Sequence, residues 1–239
     1  MPITIRPATK ADEDAVFRIC LLTSNAGTSA VDLHTFPKLP GYLYAAPYLH
    51  LKSAWAFLLV DTNDNEEKVV GYIVGASDTR AFEKDAEENW YPPLREQYEK
   101  YLQEPADAKP TDITYINTIM KPHLAADANI DFASPHLHIN VLPGYQGKGY
   151  GRQLIGTAVQ YLGGEGFKGV WLGMDPRNTK AAAFYQRLGF KPFEGAPEAV
   201  VGLRFEDWGK KKYWVADIAR KPAAHDVLFQ STLEPPDSF

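Results

Sequence analysis

Residues 142–154 read LPGYQGKGYGRQL, four glycines and two cations directly after the strand-like HLHINV of 136–141. Glycine weakens helices and strands alike, and is spent where the backbone must take a positive φ or approach something closely. Here it stands where the next run, GYGRQLIGTAVQYL (149–162), begins a helix with Leu154, Ile155, Ala158, Val159 and Leu162 on one face. A strand, a glycine-rich turn and a helix start expose backbone N–H groups at the positive end of a helix dipole, which suits a phosphate. The plainer alternative is a glycine-rich turn with no ligand. The spacing excludes two nucleotide motifs. A P-loop needs Lys-Ser/Thr after its last glycine, and Tyr150-Gly151 follows Gly149; a dinucleotide fingerprint needs a third glycine where Arg152 stands.

Charge supports an anionic ligand at this place. Between residues 144 and 191 there are seven Lys/Arg and two acids, although the whole chain of 239 residues carries a net charge of −5. That balance argues against a general nucleic-acid binder. The acids concentrate elsewhere: residues 83–107 hold eight against three cations. With aromatic residues 42–48, this run is a candidate wall for a cationic amine, or only a solvated face. The apolar run AWAFLLV (54–60) is too short to span a membrane, and MPITIRPATKADED has no signal-peptide core. One cysteine, Cys20, fits a reducing compartment, so a soluble cytoplasmic protein without membrane partners is expected.

Along the chain, ITIRPA (3–8) alternates like a strand, and ADEDAVFRICLLTSN (11–25) has acids in its first turn and Val16, Ile19 and Cys20 at helical spacing. WAFLLVD (55–61) and KVVGYIVGASD (68–78) flank the polar TNDNEE as a hairpin. Residues 79–134 are a long insert, in which Leu94, Tyr98, Tyr101 and Leu102 share a helical face. Beyond 136–142, GVWLGMD (169–175) reads as a strand, TKAAAFYQRLG (179–189) as a helix ended by Gly189, and KKYWVADI (211–218) as the last strand. The order predicts one mixed α/β domain over 1–220, with an antiparallel start and a tail at 221–239.

Gln146-Gly147-Lys148-Gly149-Tyr150-Gly151 fits Gln/Arg-x-x-Gly-x-Gly/Ala, and NTKAAAFYQRLGF (178–190) fits Asn-x-x-Ala-x-x-x-Tyr-x-x-x-Gly-Phe. On these two segments the chain resembles the GNAT superfamily of acetyl-CoA-dependent N-acetyltransferases. GYIVGASDTRAFEK and WYPPLREQY further resemble the acetyltransferase-like domain of some O-GlcNAcases and its free-standing microbial relatives. The animal form has an eroded phosphate loop; here the loop is intact.

The resemblance implies a largely antiparallel sheet splayed at the cofactor site, with helices on both faces. It implies acetyl-CoA as cosubstrate, with Ile139 and Val141 presenting backbone groups to the pantetheine arm. Amides from Gln146 through Gly147, Lys148, Gly149 and Tyr150 to Gly151, with Arg152 nearby, would hold the pyrophosphate. Asn178 would contact the cofactor arm, although it is also a good helix N-cap. Tyr185 would be the general acid near the sulfur, although a tyrosine on a helix face is more often a core residue.

The family's strand glutamate has no counterpart, since Pro135 stands near that place. Asp175, at the end of the following strand, is the first candidate base, against a turn-forming Asp-Pro role. His136 and His138 share a strand face, and one could relay a proton; no third metal ligand accompanies them. The expected acceptor is a small primary amine such as an amino sugar or a lysine-like compound. Protein lysine, or a non-catalytic acetyl-CoA- or peptide-binding module, are the alternatives.

Overall fold

The computed structural model describes residues 3–63 and 66–210; the strand expected at 211–218 lies outside them. Strands β1 (Ile3–Pro7), β2 (Ala54–Asp61), β3 (Lys68–Ala76), β4 (His136–Val141), β5 (Gly169–Gly173) and β6 (Val200–Arg204) form one sheet in sequence order. The first four pair antiparallel, β4 and β5 are parallel, and β5 and β6 are antiparallel. This is an open, mixed sheet flanked by helices, of the GNAT type that the sequence led us to expect. The short β6, VVGLR, was not anticipated.

β3 reads as a nearly continuous apolar run because both of its faces are covered: after Lys68 every residue is buried. On one face pack α1 (Glu13–Leu21), α2 (Leu39–Tyr44) and α3 (Pro47–His50), together with helices of the insert. The insert comprises α4 (Thr79–Asn89), α5 (Tyr91–Tyr98), α6 (Lys100–Gln103), α7 (Pro110–Met120) and α8 (Asp127–Phe132). Phe82, Leu94, Tyr98, Ile116 and Ile119 of the insert join Val16, Ile19, Leu39, Tyr48 and Tyr72 in one core. The other face is covered by α9 (Tyr150–Gly164) and α10 (Thr179–Leu188). The amphipathic spacing explains α9: Leu154, Ile155, Ala158 and Leu162 are fully buried. α10 stops at Gly189, whose φ of +100° supplies the left-handed cap.

The insert is tied to the segment between α1 and α2 by a buried hydrogen bond. His34 Nδ1 lies 2.8 Å from Asp112 Oδ1 on α7. Asp112 Oδ2 also accepts the N–H groups of Thr35 and Lys109 at 2.8 and 3.0 Å. Burial alone would raise the Asp112 pKa, but those two amides and the His34 ring outweigh it, so the carboxyl lies below its usual range. Its folded-state pKa being depressed, the carboxylate's contribution to stability is present above the unfolded pKa and is lost as pH falls through the folded one. Asp112→Ala strands a buried histidine and two amides. We expect a loss of about 3–5 kcal/mol in denaturant unfolding; a loss under about 1 kcal/mol, at the level of an exposed pair, would show that the pair is not an anchor.

Candidate active site

The sheet comes apart between its two parallel strands. β4 matches β3 over six residue pairs, but β5 at one, His136 with Trp171, where the Trp171 N–H donates to the Pro135 carbonyl at 3.2 Å. Strand alternation then decides what the gap receives. The Leu142 N–H donates to the Val70 carbonyl at 2.9 Å, so even-numbered residues of β4 turn their backbone groups toward β3. Ile139 and Val141 turn theirs toward the gap. The Val141 carbonyl is taken by Gln146 Nε2 at 2.8 Å, and Ile139 lies past the one residue pair that joins β4 to β5.

At the open end of the gap stands the glycine turn. Gly147 and Gly149 have φ of +72° and +86°, which L side chains resist. A Cβ on either, or on Gly144, would meet nothing within 4 Å, so these positions border open space. Gly151 has a different reason: its Cβ would lie 2.9 Å from Phe184 Cζ of α10. α9 begins at Tyr150 with Gly149 as N-cap and no side-chain cap. Among the described residues the N–H groups of 147–152 find no acceptor, leaving a fan of donors at a positive helix end. Tyr145 donates to Asp61 Oδ2 at 2.6 Å, pinning the turn to the end of β2. The Lys148 ammonium lies 5.6 Å from the Tyr145 ring, and the Arg152 guanidinium 5.0 Å from the Trp208 ring.

Side chains divide across the two faces of β4. Ile139 and Val141 pack toward α9 and α10, in the cluster that holds Tyr185. Tyr185 is 8% exposed, and burial pushes its pKa up, so the hydroxyl keeps its proton. Asn178 caps α10 through Oδ1, which accepts from the Ala181 N–H at 3.0 Å. Its amide faces Gly27, in a tight turn of the segment after α1, where a Cβ would come within 2.9 Å of Asn178 Nδ2.

The other face carries His136, His138 and Asn140. His136 is sealed: Thr79 Oγ1 donates to the Ser134 carbonyl at 2.6 Å and therefore accepts from His136 Nδ1, and the Tyr48 hydroxyl donates to Nε2 at 2.7 Å. Burial lowers its pKa to about 3. His138 is half-buried, with no hydrogen-bond partner among the described residues. Its ring faces Tyr44 and Tyr48 at 5.7 and 5.6 Å. Burial brings its pKa to about 4, which leaves a neutral imidazole near pH 7. Asn140 donates to the buried Tyr72 hydroxyl at 2.6 Å.

Asp175 stands at the end of β5, clamped by Arg177: Nη2 to Oδ2 is 2.6 Å, and the Arg177 N–H also donates to Oδ1 at 2.9 Å. That clamp holds its carboxyl below the usual range. Tyr115 of α7 feels the charges of both residues and meets Tyr44 edge-on at 6.1 Å. Tyr115 had no signal in the sequence, because its place depends on the docking of the insert. Several carboxylates of the acidic run are engaged: Glu87 forms a two-pronged bridge to Arg95 at 2.6 Å, Glu83 binds Arg80 at 2.7 Å and the Ala125 N–H at 2.6 Å, and Asp85 caps the Lys52 N–H at 3.1 Å. Asp85 and Tyr42 line one pocket.

Residues 29–190 match the model of the Acetyltransferase (GNAT) family. The chain belongs to the GNAT acetyltransferase family. It is 30% identical to the crystal structure of SsHAT, covering 86% of this chain and 99% of that one with a TM-score of 0.67. A PaiA N-acetyltransferase from Thermoplasma acidophilum in complex with coenzyme A shares the fold, at 11% identity and a TM-score of 0.51, over 85% of this chain and 99% of that one. The protein is thus an N-acetyltransferase by family, with acetyl-CoA as cosubstrate. No helix among the described residues is long and apolar enough to cross a membrane.

The two neutral histidines make an acid-sensitive fold. Their folded-state pKa values lie below the ordinary 6.5, so from about pH 6.5 down to about pH 4 the unfolded chain takes up protons that the folded chain refuses. Stability should therefore fall over that window, and the His138 ring signals in NMR should show no titration step above pH 5. A His138 midpoint near 6.5 would contradict the buried-neutral description.

Proposed function

We propose that this chain transfers acetyl from acetyl-CoA to a primary amine by direct attack, with His138 as base and Tyr185 as acid. The observation that carries this reading is the gap between β4 and β5, open beside a turn of unpartnered amides. The amides of 147–152 bind the pyrophosphate, and the Ile139 N–H polarises the thioester carbonyl and steadies its oxyanion. The amine arrives protonated. His138, neutral and unpartnered, takes the proton; the freed nitrogen attacks the carbonyl carbon, and the tetrahedral intermediate collapses with cleavage of the C–S bond. Tyr185 gives its proton to the departing thiolate and regains one from solvent, while the second proton of the attacking nitrogen and the proton on His138 leave to solvent.

Base and acid stand on opposite faces of β4, so amine and thiolate are served separately. Asp175 is the weaker base: its lone pairs are engaged by Arg177 and its proton affinity is reduced. It holds the rim of the cleft through Arg177. Asn178 caps α10 through Oδ1, with its Nδ2 set against Gly27. A protein lysine, as a primary amine, fits the same chemistry.

Gly149→Glu places bulk and negative charge in the amide fan. Calorimetry should show acetyl-CoA binding largely abolished, and unchanged affinity in a folded variant would remove the site. For the proton transfers, His138→Gln should lower kcat by on the order of 10²–10⁴-fold, with acetyl-CoA affinity kept within a few-fold. Tyr185→Phe should behave alike. Full turnover in either variant, with chemistry shown to be rate-limiting, would take that residue out of the mechanism.

A further inference from the structure

We infer that a pocket of about 610 Å³ between the start of α1, the end of α3 and the α4–α5 corner binds a small, singly charged organic cation. The volume is of small-molecule size. Its walls include the rings of Tyr42, His50 and Trp90 and the carboxylates of Glu13 and Asp85, and Lys52 also lines it. Trp90 is the middle of the aromatic wall, 5.3 Å from the His50 ring and 6.2 Å from the Tyr42 ring. Its Nε1 donates to the Tyr42 carbonyl at 2.9 Å, which holds the indole in place.

The pocket is separate from the transfer chemistry. Tyr42 and Tyr44 are two residues apart on α2, as are Tyr48 and His50 on α3, so each pair points to opposite sides of its helix. Tyr44 and Tyr48 stand against His138, at 5.7 and 5.6 Å, whereas Tyr42 and His50 stand against Trp90. The two helices therefore form a partition, and no residue of β4, β5 or the glycine turn lines the pocket.

Its two carboxylates are satisfied differently from their neighbours. Glu83 and Glu87 are neutralised by Arg80 and Arg95. Asp85 instead accepts from uncharged donors, the Lys52 N–H at 3.1 Å and Asn89 Nδ2 at 2.7 Å. Glu13 accepts from His50 Nε2 at 2.8 Å. Among the described residues neither carboxylate has a lysine or arginine as ion-pair partner. Against the one Lys52 ammonium they leave a single negative charge in the lining when the His50 ring is neutral. A metal ion does not match this chemistry: among the described residues no three His, Cys, Asp or Glu side chains converge to hold one. Carboxylates beside aromatic faces suit a weakly hydrated organic ammonium group, which gains both charge pairing and cation–π attraction.

The test titrates choline, its neutral analogue 3,3-dimethylbutan-1-ol and betaine calorimetrically into the full chain, with and without saturating coenzyme A. The choline nitrogen bears no hydrogen and is no acceptor for N-acetyl transfer, so the readout stands whether or not the transfer chemistry does. Choline should bind about tenfold more tightly than the neutral analogue or betaine. Coenzyme A should leave that affinity unchanged, and added salt should lower it. Asp85→Asn, which keeps an oxygen for the Lys52 N–H, should weaken choline about fivefold. Lys52→Ala keeps the backbone N–H and removes a like charge, and should tighten choline about threefold, an effect that a merely structural lysine would not produce. Absence of saturable choline binding, a neutral analogue or betaine that binds as well, displacement by coenzyme A, or an affinity indifferent to both substitutions would each overturn the inference.

Discussion

Everything at this site follows from a missing hydrogen-bond ladder. Parallel neighbours in a sheet normally satisfy each other's backbone along their length, but β4 and β5 meet only at His136 and Trp171. Past that point β4 has β3 on one side and open space on the other. Because a strand alternates its backbone direction, the free groups fall on the odd-numbered residues and the histidines fall on the even ones. The same two-residue period aims Ile139 at the gap and sends the His138 ring toward Tyr44 and Tyr48. A one-residue slip of β4 against β3 would exchange these sets. The continuous β3 pairing is what keeps the chemistry in register.

The fold and the geometry of the glycine turn were largely legible. The glycine turn announces itself because two of its positions need positive φ, and the inward face of α9 is written in its spacing. The surroundings of the strand histidines and of the carboxylates were not, for identifiable reasons. His136 and His138 have the same spacing and the same face, yet Thr79 and Tyr48, 57 and 88 residues away, seal one and leave the other open. Sequence also reads the sign of a charge without its partner: Glu87 belongs to Arg95, and Asp175 to Arg177. β6 escaped notice because five residues with a glycine at the centre leave little alternation to see. That glycine is explained by Phe132, whose ring occupies the space a Cβ at position 202 would need.

Neutrality is the other theme. Burial removes the positive charge from both strand histidines and keeps the proton on Tyr185. For the proposed transfer, an unprotonated base and a protonated acid at neutral pH are the states required at its start.

The His34–Asp112 pair has a consequence for how such a protein can diversify. The insert carries Tyr115, which meets Tyr44 edge-on, but its docking is written partly in residues 34 and 35, far outside it. The two segments therefore form a single inheritable unit despite their separation along the chain. Transplanting residues 79–134 alone into a relative would deliver Asp112 without its ring and set Tyr115 adrift. Exchange of acceptor preference between relatives by recombination would have to carry both segments together.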